Sequence, residues 1–316
     1  MTRILVVGSL NMDLVVPVPR LAREGETLAG GDLALIPGGK GANQACAAAK
    51  LGGHAAMIGQ VGSDVFGTKL IDGLRAAGAD TSGIGISEGA TGTAFITVLP
   101  SGENSILISP GANAKLTPNT AVDRMANAER SGFLLCQLEV PLVTVDAVLG
   151  QARRDGIVTV LDPAPAQPLN RELLSLVDWL TPNQTEAELL LSAPEGSVRT
   201  FTEARDAALR LRDWGPRGVI VKLGELGCHV SSPEADQPVE GFVVNTLDTT
   251  AAGDTFNGAL AVALAEGKPI LEAAKFANAA AAISVTRAGA QSSIPLRKEV
   301  EEFLRRPTGR PDRARA

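Results

Sequence analysis

Tyrosine is absent from the 316 residues, aromatics make up only 3%, and the chain carries just 2 histidines and 3 cysteines. With so few rings, the core must be filled by Ala, Val, Leu and Ile packed closely, with 34 glycines serving turns and close approaches. Cys46, Cys136 and Cys228 form no CxxC and leave one over. They argue against a disulfide framework or a thiolate metal site and fit buried thiols in a reducing cytoplasm. His54 and His229 flank apolar stretches without an ordered partner nearby in sequence, so proton transfer falls to a carboxylate. Basic residues are in deficit. A net charge of −6 excludes backbone-reading nucleic-acid binding, which needs clustered Lys and Arg. No run approaches the roughly 18 apolar residues of a membrane span. Ile4 to Val7 is too short for a signal-peptide core, so the sequence predicts a soluble cytoplasmic protein with no membrane partner.

What is present is an alternation. Arg3 to Gly8 is an apolar run ending in glycine, and similar runs recur at Ala55 to Ile58, Phe133 to Cys136, Val158 to Leu161, Trp179 to Leu180 and Val219 to Leu223. Helix-length segments lie between most of them, at Ala42 to Lys50, Phe66 to Ala77, Pro141 to Arg154, Phe201 to Trp214 and Leu271 to Val285. The expected fold is a three-layer α/β/α sandwich with a mostly parallel central sheet. Two regions break the rhythm, at about 14–36 and 91–108, and predict strands of a small β-sheet lid over a ligand. Pro100-Ser101-Gly102-Glu103 turns a hairpin in the second. One domain spans 1–306, and the basic, Pro- and Gly-containing 307–316 reads as a disordered tail.

Asp248-Thr249-Thr250-Ala251-Ala252-Gly253-Asp254-Thr255-Phe256-Asn257-Gly258-Ala259 passes from a strand through small residues into an apolar helix. Backbone N–H groups of Ala251, Ala252, Gly253 and Asp254 then form an anion site at a helix N-terminus. Asp254 reads either as a helix cap or as a base taking the proton of an attacking hydroxyl; the Ala-Ala-Gly approach favours the base. Pro37 to Gln44 is a second Gly-rich turn into a helix, either a polyol site built on Gly39, Lys40 and Asn43 or a plain turn with a surface lysine. It is no Walker A loop, because Gly41 follows Lys40 and Ala34 replaces the upstream glycine. Gln44 breaks the dinucleotide fingerprint as well. Asn11, Asp13 and Glu139 fall at strand carboxyl ends, where open sheets bind ligands, with plain Asx turn-formers as the alternative for Asn11 and Asp13. Asn183 and Glu186 have capping-pair spacing, with a water-mediated Mg²⁺ role for Glu186 as the alternative. Lys222 to Gly227 forms a turn able to offer amides to a nucleotide. Gly85-Ile86-Ser87-Glu88-Gly89 matches a hydrolase elbow in the wrong context, because a β-rich stretch follows it.

GGKGANQA, TPNQTEAE, DTTAAGDTFNGA and AAAAISVTRAGAQSSIP together resemble the PfkB, or ribokinase, family of carbohydrate kinases, over about Ile4 to Leu304. The resemblance implies a ribokinase-like fold and ATP-dependent phosphorylation of the 5-hydroxyl of D-ribose to ribose 5-phosphate. It places Asn11, Asp13, Gly39, Lys40, Asn43 and Glu139 on the sugar, with Asp254 as base and Gly253 at the centre of the anion hole. Asn183, Lys222, Gly224, Gly227, Gly253 and Asn278 then contact ATP, and Glu186 serves Mg²⁺. Asp248, Thr250, Ser284, Arg287, Gly289 and Ser293 surround K⁺, with Thr250 departing from the aliphatic residue expected there. The resemblance further implies a homodimer through the lid. Competing readings are a family kinase for deoxyribose, another sugar or a nucleoside, a catalytically silent sugar-binding regulator, and a Rossmann oxidoreductase, against which the missing fingerprint weighs.

Overall fold

The computed structural model describes residues 2–305, and the predicted tail at 307–316 lies outside them. From its start the chain forms β1 (Arg3–Val7), β2 (Asn11–Pro17), β3 (Ala34–Gly38), α1 (Lys40–Lys50), β4 (His54–Gly62), α2 (Val65–Ala76), β5 (Asp80–Ser87), β6 (Gly92–Val98) and β7 (Asn104–Ser109). It continues with α3 (Pro118–Asn127), β8 (Ser131–Cys136), α4 (Leu142–Asp155), β9 (Val158–Leu161), α5 (Arg171–Leu174), β10 (Trp179–Leu180), α6 (Gln184–Leu190) and α7 (Phe201–Arg212). Last come β11 (Gly218–Lys222), β12 (Gly227–Ser231), β13 (Asp236–Glu240), α8 (Ala252–Ala265), α9 (Ile270–Ser284) and α10 (Arg297–Arg305).

Nine strands pair in the order β13-β12-β11-β10-β9-β8-β1-β4-β5, parallel throughout except for the antiparallel β12 and β13 at one edge. Because side chains alternate across a strand, β1 feeds two cores. Ile4 and Val6 pack under α1, α2, α8, α9 and α10, whereas Leu5 and Val7 pack under α3, α4, α6 and α7. This is the expected sandwich. Small side chains bring its helices close: a Cβ at Gly258 of α8 would lie 2.6 Å from the Ala47 Cβ of α1.

A separate sheet, β3-β2-β6-β7, stands off the main one and corresponds to the predicted lid. It begins earlier than expected: β2 starts at Asn11, so Asn11 and Asp13 belong to a lid strand rather than to the loop after β1. Register aligns Leu35, Leu14, Phe95 and Leu107 in one row across all four strands, and Ile36, Asp13, Ala94 and Ile108 in the next. Successive rows face opposite sides of the sheet.

β5, β13, α3, α5 and α10 escaped the sequence reading. β13 (DQPVE) is an almost wholly exposed edge strand with no apolar alternation to betray it. His229 also gains a partner that its local sequence hides, since Nε2 lies 3.0 Å from Asp236 Oδ1 across the β12–β13 hairpin. The Gly85 to Gly89 segment ends β5 and leads on to β6 rather than to a helix, so it is no nucleophile elbow. All three cysteines are buried and free. No helix among the described residues is long and apolar enough to cross a membrane.

Candidate active site

The α1 turn is built first. Gly39 has φ 88°, and a Cβ there would stand 2.6 Å from the Asn11 backbone nitrogen, so glycine is required both for the backbone angle and for the close approach of β2. α1 has no side-chain cap of its own. Glu139, beyond the end of β8, supplies one from outside: its Oε2 accepts from the Lys40 N–H at 2.9 Å and from the Ser9 hydroxyl. A carboxylate at a helix N-terminus satisfies free donors and complements the helix dipole. The Gly41 N–H donates to Ser9 Oγ at 3.3 Å. These amides are therefore occupied, unlike those of an open phosphate loop.

Asp254 lies in the first turn of α8 and is 6% exposed, yet α8 has no side-chain cap bond. The capping alternative does not hold. Its carboxylate reaches α1 instead, with Oδ2 accepting from Asn43 Nδ2 at 2.9 Å and Oδ1 from Gln44 Nε2 at 3.1 Å. Burial pushes its pKa above the ordinary carboxylate range and Asp162 adds to the rise, while Lys40 and the two amides pull against it. Asn43 Oδ1, beside the Asp254 carboxylate, is sealed from solvent and has no hydrogen-bond partner among the described residues.

Sequence reasoning missed the residues behind Asp254. Gln44 Nε2 also donates to Asp162 Oδ2 at 3.0 Å, and Gln44 Oε1 accepts from Gln137 Nε2 at 2.7 Å. Asp162 Oδ1 in turn accepts from Lys222 Nζ at 3.0 Å. That ammonium stands 3.4 Å from where a Gly253 Cβ would be. The signal for Asp162 was available, because it follows the apolar strand β9 at the same carboxyl edge as Glu139.

Before α8, Ala251 adopts the left-handed φ of 58°, uncommon for a residue with a Cβ. The Ala252 N–H turns back to the Thr249 carbonyl at 3.2 Å, which removes it from the expected set of free donors. The amides of Ala251, Gly253 and Asp254 have no partner among the described residues.

A cavity of about 610 Å³ opens from this point toward the β12–β13 hairpin, and Asn183, Glu186, Lys222, Gly224, Gly227, Gly253 and Asn278 all line it. Lys40 and Asp254 line its near end. Its far wall includes Phe242, Val243, Ala281, Ala282 and Val285, an apolar slot suited to a flat ring. Burial works to lower the Lys222 pKa, but Asp162 and Glu186 outweigh it and keep the ammonium charged. Burial likewise opposes charge on Lys40, where the carboxylates of Asp254, Asp162, Glu139 and Glu186 prevail. Asn183 and Glu186 form a complete capping box, with the Asn183 N–H and Nδ2 donating to Glu186 Oε2 and Oε1 at 2.7 and 2.8 Å. Burial raises the Glu186 pKa, against the pull of Lys222.

On the lid, Asp13 faces this centre. Burial and the charges of Glu139 and Asp254 raise its pKa to about 7. Asn11 is 3% exposed beside it, and the Asp13 carboxylate packs over Gly38. Asp248 gathers part of the expected cation set, its Oδ1 accepting from the Thr250 N–H at 2.9 Å and its Oδ2 from the Gly289 N–H at 2.8 Å. The side chains of three other members bond locally: Arg287 pairs with Glu299, and the Ser284 and Ser293 hydroxyls donate to the Ala281 and Ala290 carbonyls, each at 2.8 Å.

The profile described as pfkB family carbohydrate kinase matches residues 1–297. A ribokinase of Haemophilus influenzae is 46% identical over 300 residues, covering 95% of this chain and 97% of that protein. A deoxyribokinase of Salmonella typhi is 37% identical over 304 residues, at 95% and 98% coverage. Among solved structures, a ribokinase of Thermotoga maritima matches with a TM-score of 0.88 at 42% identity, covering 97% of this chain and 100% of that one. The ribokinase of Arabidopsis thaliana complexed with ribose and ATP matches with a TM-score of 0.87 at 33% identity, covering 97% and 99%. The buried Asp254 carboxylate at the near end of this cavity thus sits in a chain that, over nearly its whole length, belongs to the PfkB family of carbohydrate kinases.

Proposed function

We propose that the protein transfers the γ-phosphoryl group of ATP to the 5-hydroxyl of D-ribose, giving ribose 5-phosphate. The observation that carries this reading is the placement of Asp254. It does not cap its own helix, and Asn43 and Gln44 hold it where the lid site meets the cavity. Sugar hydroxyls meet Asn11, Asp13, Asn43 and the Gly39–Lys40 turn, which Glu139 steadies. Asp254 takes the proton from the attacking hydroxyl. The amides of Ala251, Gly253 and Asp254, with the ammonium groups of Lys40 and Lys222, offset charge on the transferring phosphoryl group. Asn183, Gly224, Gly227 and Asn278 border the nucleotide.

Mg²⁺ fits Glu186 through water. Both carboxylate oxygens are engaged by Asn183, and no group of three or more His, Cys, Asp or Glu among the described residues could cage a metal. This suits an ion that keeps most of its waters and neutralises phosphate charge. K⁺ fits the Asp248–Thr250–Gly289 loop, where Asp248 stays ionised: hydrogen bonds from Thr250 and Gly289 outweigh the effect of burial. It would be held there by carbonyl oxygens, a role that survives threonine at position 250. Exposed apolar residues on the lid support a homodimer, and the free thiols a cytoplasmic location.

The test is ADP release from Mg-ATP with K⁺ present, across ribose, 2-deoxyribose, fructose, adenosine and a no-sugar control. Ribose is expected to lead, and K⁺ to activate more than Na⁺. The deoxyribokinase relative makes 2-deoxyribose the second reading, which a preference for that sugar would establish. No turnover with any acceptor would overturn the kinase assignment.

A further inference from the structure

We infer that Asn113 is a positioning residue for the sugar site, one that fixes the amide of Asn11 so that the Asn11 Nδ2 faces the sugar. The inference rests on the kinase reading above and adds a residue to it.

Asn113 lies in the short 3-10 turn at Gly111–Lys115, just after the lid strand β7, and is 1% exposed. Its amide grips Leu10, the residue through which the chain leaves the main sheet for the lid. The Leu10 N–H donates to Asn113 Oδ1 at 2.9 Å, and Asn113 Nδ2 donates to the Leu10 carbonyl at 3.1 Å. Amide oxygen and nitrogen are often interchangeable in a side chain, but a backbone N–H can only donate and a backbone carbonyl can only accept. Leu10 therefore settles the orientation of Asn113.

The consequence passes to Asn11. The second proton on Asn113 Nδ2 points at the Asn11 side chain 2.7 Å away, so the atom there must be the acceptor, Oδ1. Asn11 Nδ2 is thereby turned outward. It has no acceptor among the described residues and is not among the polar atoms sealed from solvent. Without Asn113 the Asn11 amide would have two near-equal orientations, one offering the sugar a donor and the other an acceptor. Glycine at position 92 leaves room for the arrangement, because a Cβ there would collide with both Asn11 Oδ1 and Asn113 Nδ2.

The decisive experiment is steady-state kinetics of the full-length chain with ribose and Mg-ATP, comparing Asn113→Asp with the unaltered protein. An ionised aspartate still accepts from the Leu10 N–H but has no proton for Asn11 or for the Leu10 carbonyl, so the Asn11 amide reverses; the kinetics are therefore run at the alkaline end of the stable pH range. The KM for ribose is expected to rise about 10- to 100-fold, the scale of one lost hydrogen bond and a mispaired group, while the KM for ATP stays unchanged. In an Asn11→Ala background the same change should add nothing to the ribose KM, which a merely structural role would not produce. Asn113→Ala removes the donor to Asn11 without burying a charge and should raise the ribose KM in the same selective way; it decides the matter if Asn113→Asp fails to fold. An unchanged ribose KM, equal changes for both substrates, or additive effects in the Asn11→Ala background would overturn the inference while leaving the kinase reading intact. No turnover by the unaltered chain would overturn both.

Discussion

At the scale of single residues, two carboxylates carry the sharpest expectations. Asp254→Asn keeps a side chain of the same size between Asn43 and Gln44 but cannot take a proton. Its kcat should fall by roughly 10² to 10⁴ with nucleotide binding and thermal stability retained, and near-normal turnover would remove Asp254 as the base. For Asp13 the pKa, raised to about 7, gives a stability expectation with a defined pH window. Between its ordinary value of 3.8 and about 7, the folded protein keeps a proton that the unfolded chain gives up. Folding is therefore favoured at the acid end of that window and loses the contribution as pH rises through it. Asp13→Asn should raise Tm by a few degrees at pH 8 and by clearly less at pH 5, while weakening sugar binding; an equal Tm shift at both pH values would refute the assigned environment. Asp254 was legible because small residues and a helix start surround it locally. Its holders were not: Gln44 meets it from 210 positions away, and Asn113 meets Asn11 from 102. Such pairings arise from the course of the chain through space, which no window of sequence contains.

At the scale of elements, the packing of α1 on α8 sets the position of the base. A Cβ on Gly258 would come within 2.6 Å of the Ala47 Cβ and 2.9 Å of the Gln44 carbonyl oxygen. Gly258→Ala must push α1 away, at about 1–3 kcal/mol for overpacking a filled interface. Since Gln44 rides on α1 and holds Asp254, kcat should drop along with Tm. A loss of stability with full turnover would show that the two helices move without disturbing the base. The central strands of the parallel sheet were readable as apolar runs because both of their faces are covered, whereas the half-exposed edge strand β5 was not. The polar edge strand β13 had no such imprint, and the lid boundaries slipped by a few residues because β2 follows β1 after a link of only three.

At the scale of the molecule, the lid has two unlike faces. The row holding Asp13 turns to the active site, and on the opposite side Phe95 and Leu107 are 50% and 70% exposed. Open apolar strands of this kind invite pairing with a second chain. Leu107→Glu should convert a dimer into monomers in sedimentation analysis, and a monomeric unaltered protein would refute the lid interface. A further consequence lies in the four points at which the chain passes between the main sheet and the lid, at Leu10, Gly38, Thr91 and Pro110. The residues lining the cavity of about 610 Å³ all lie outside the lid strands, whereas Asn11 and Asp13 arrive on the lid. On the proposed function, a lid exchanged between relatives at those four junctions would carry Asn11 and Asp13 with it and leave Gly39, Lys40, Asn43, Glu139 and the cavity behind, so only part of the sugar site would travel.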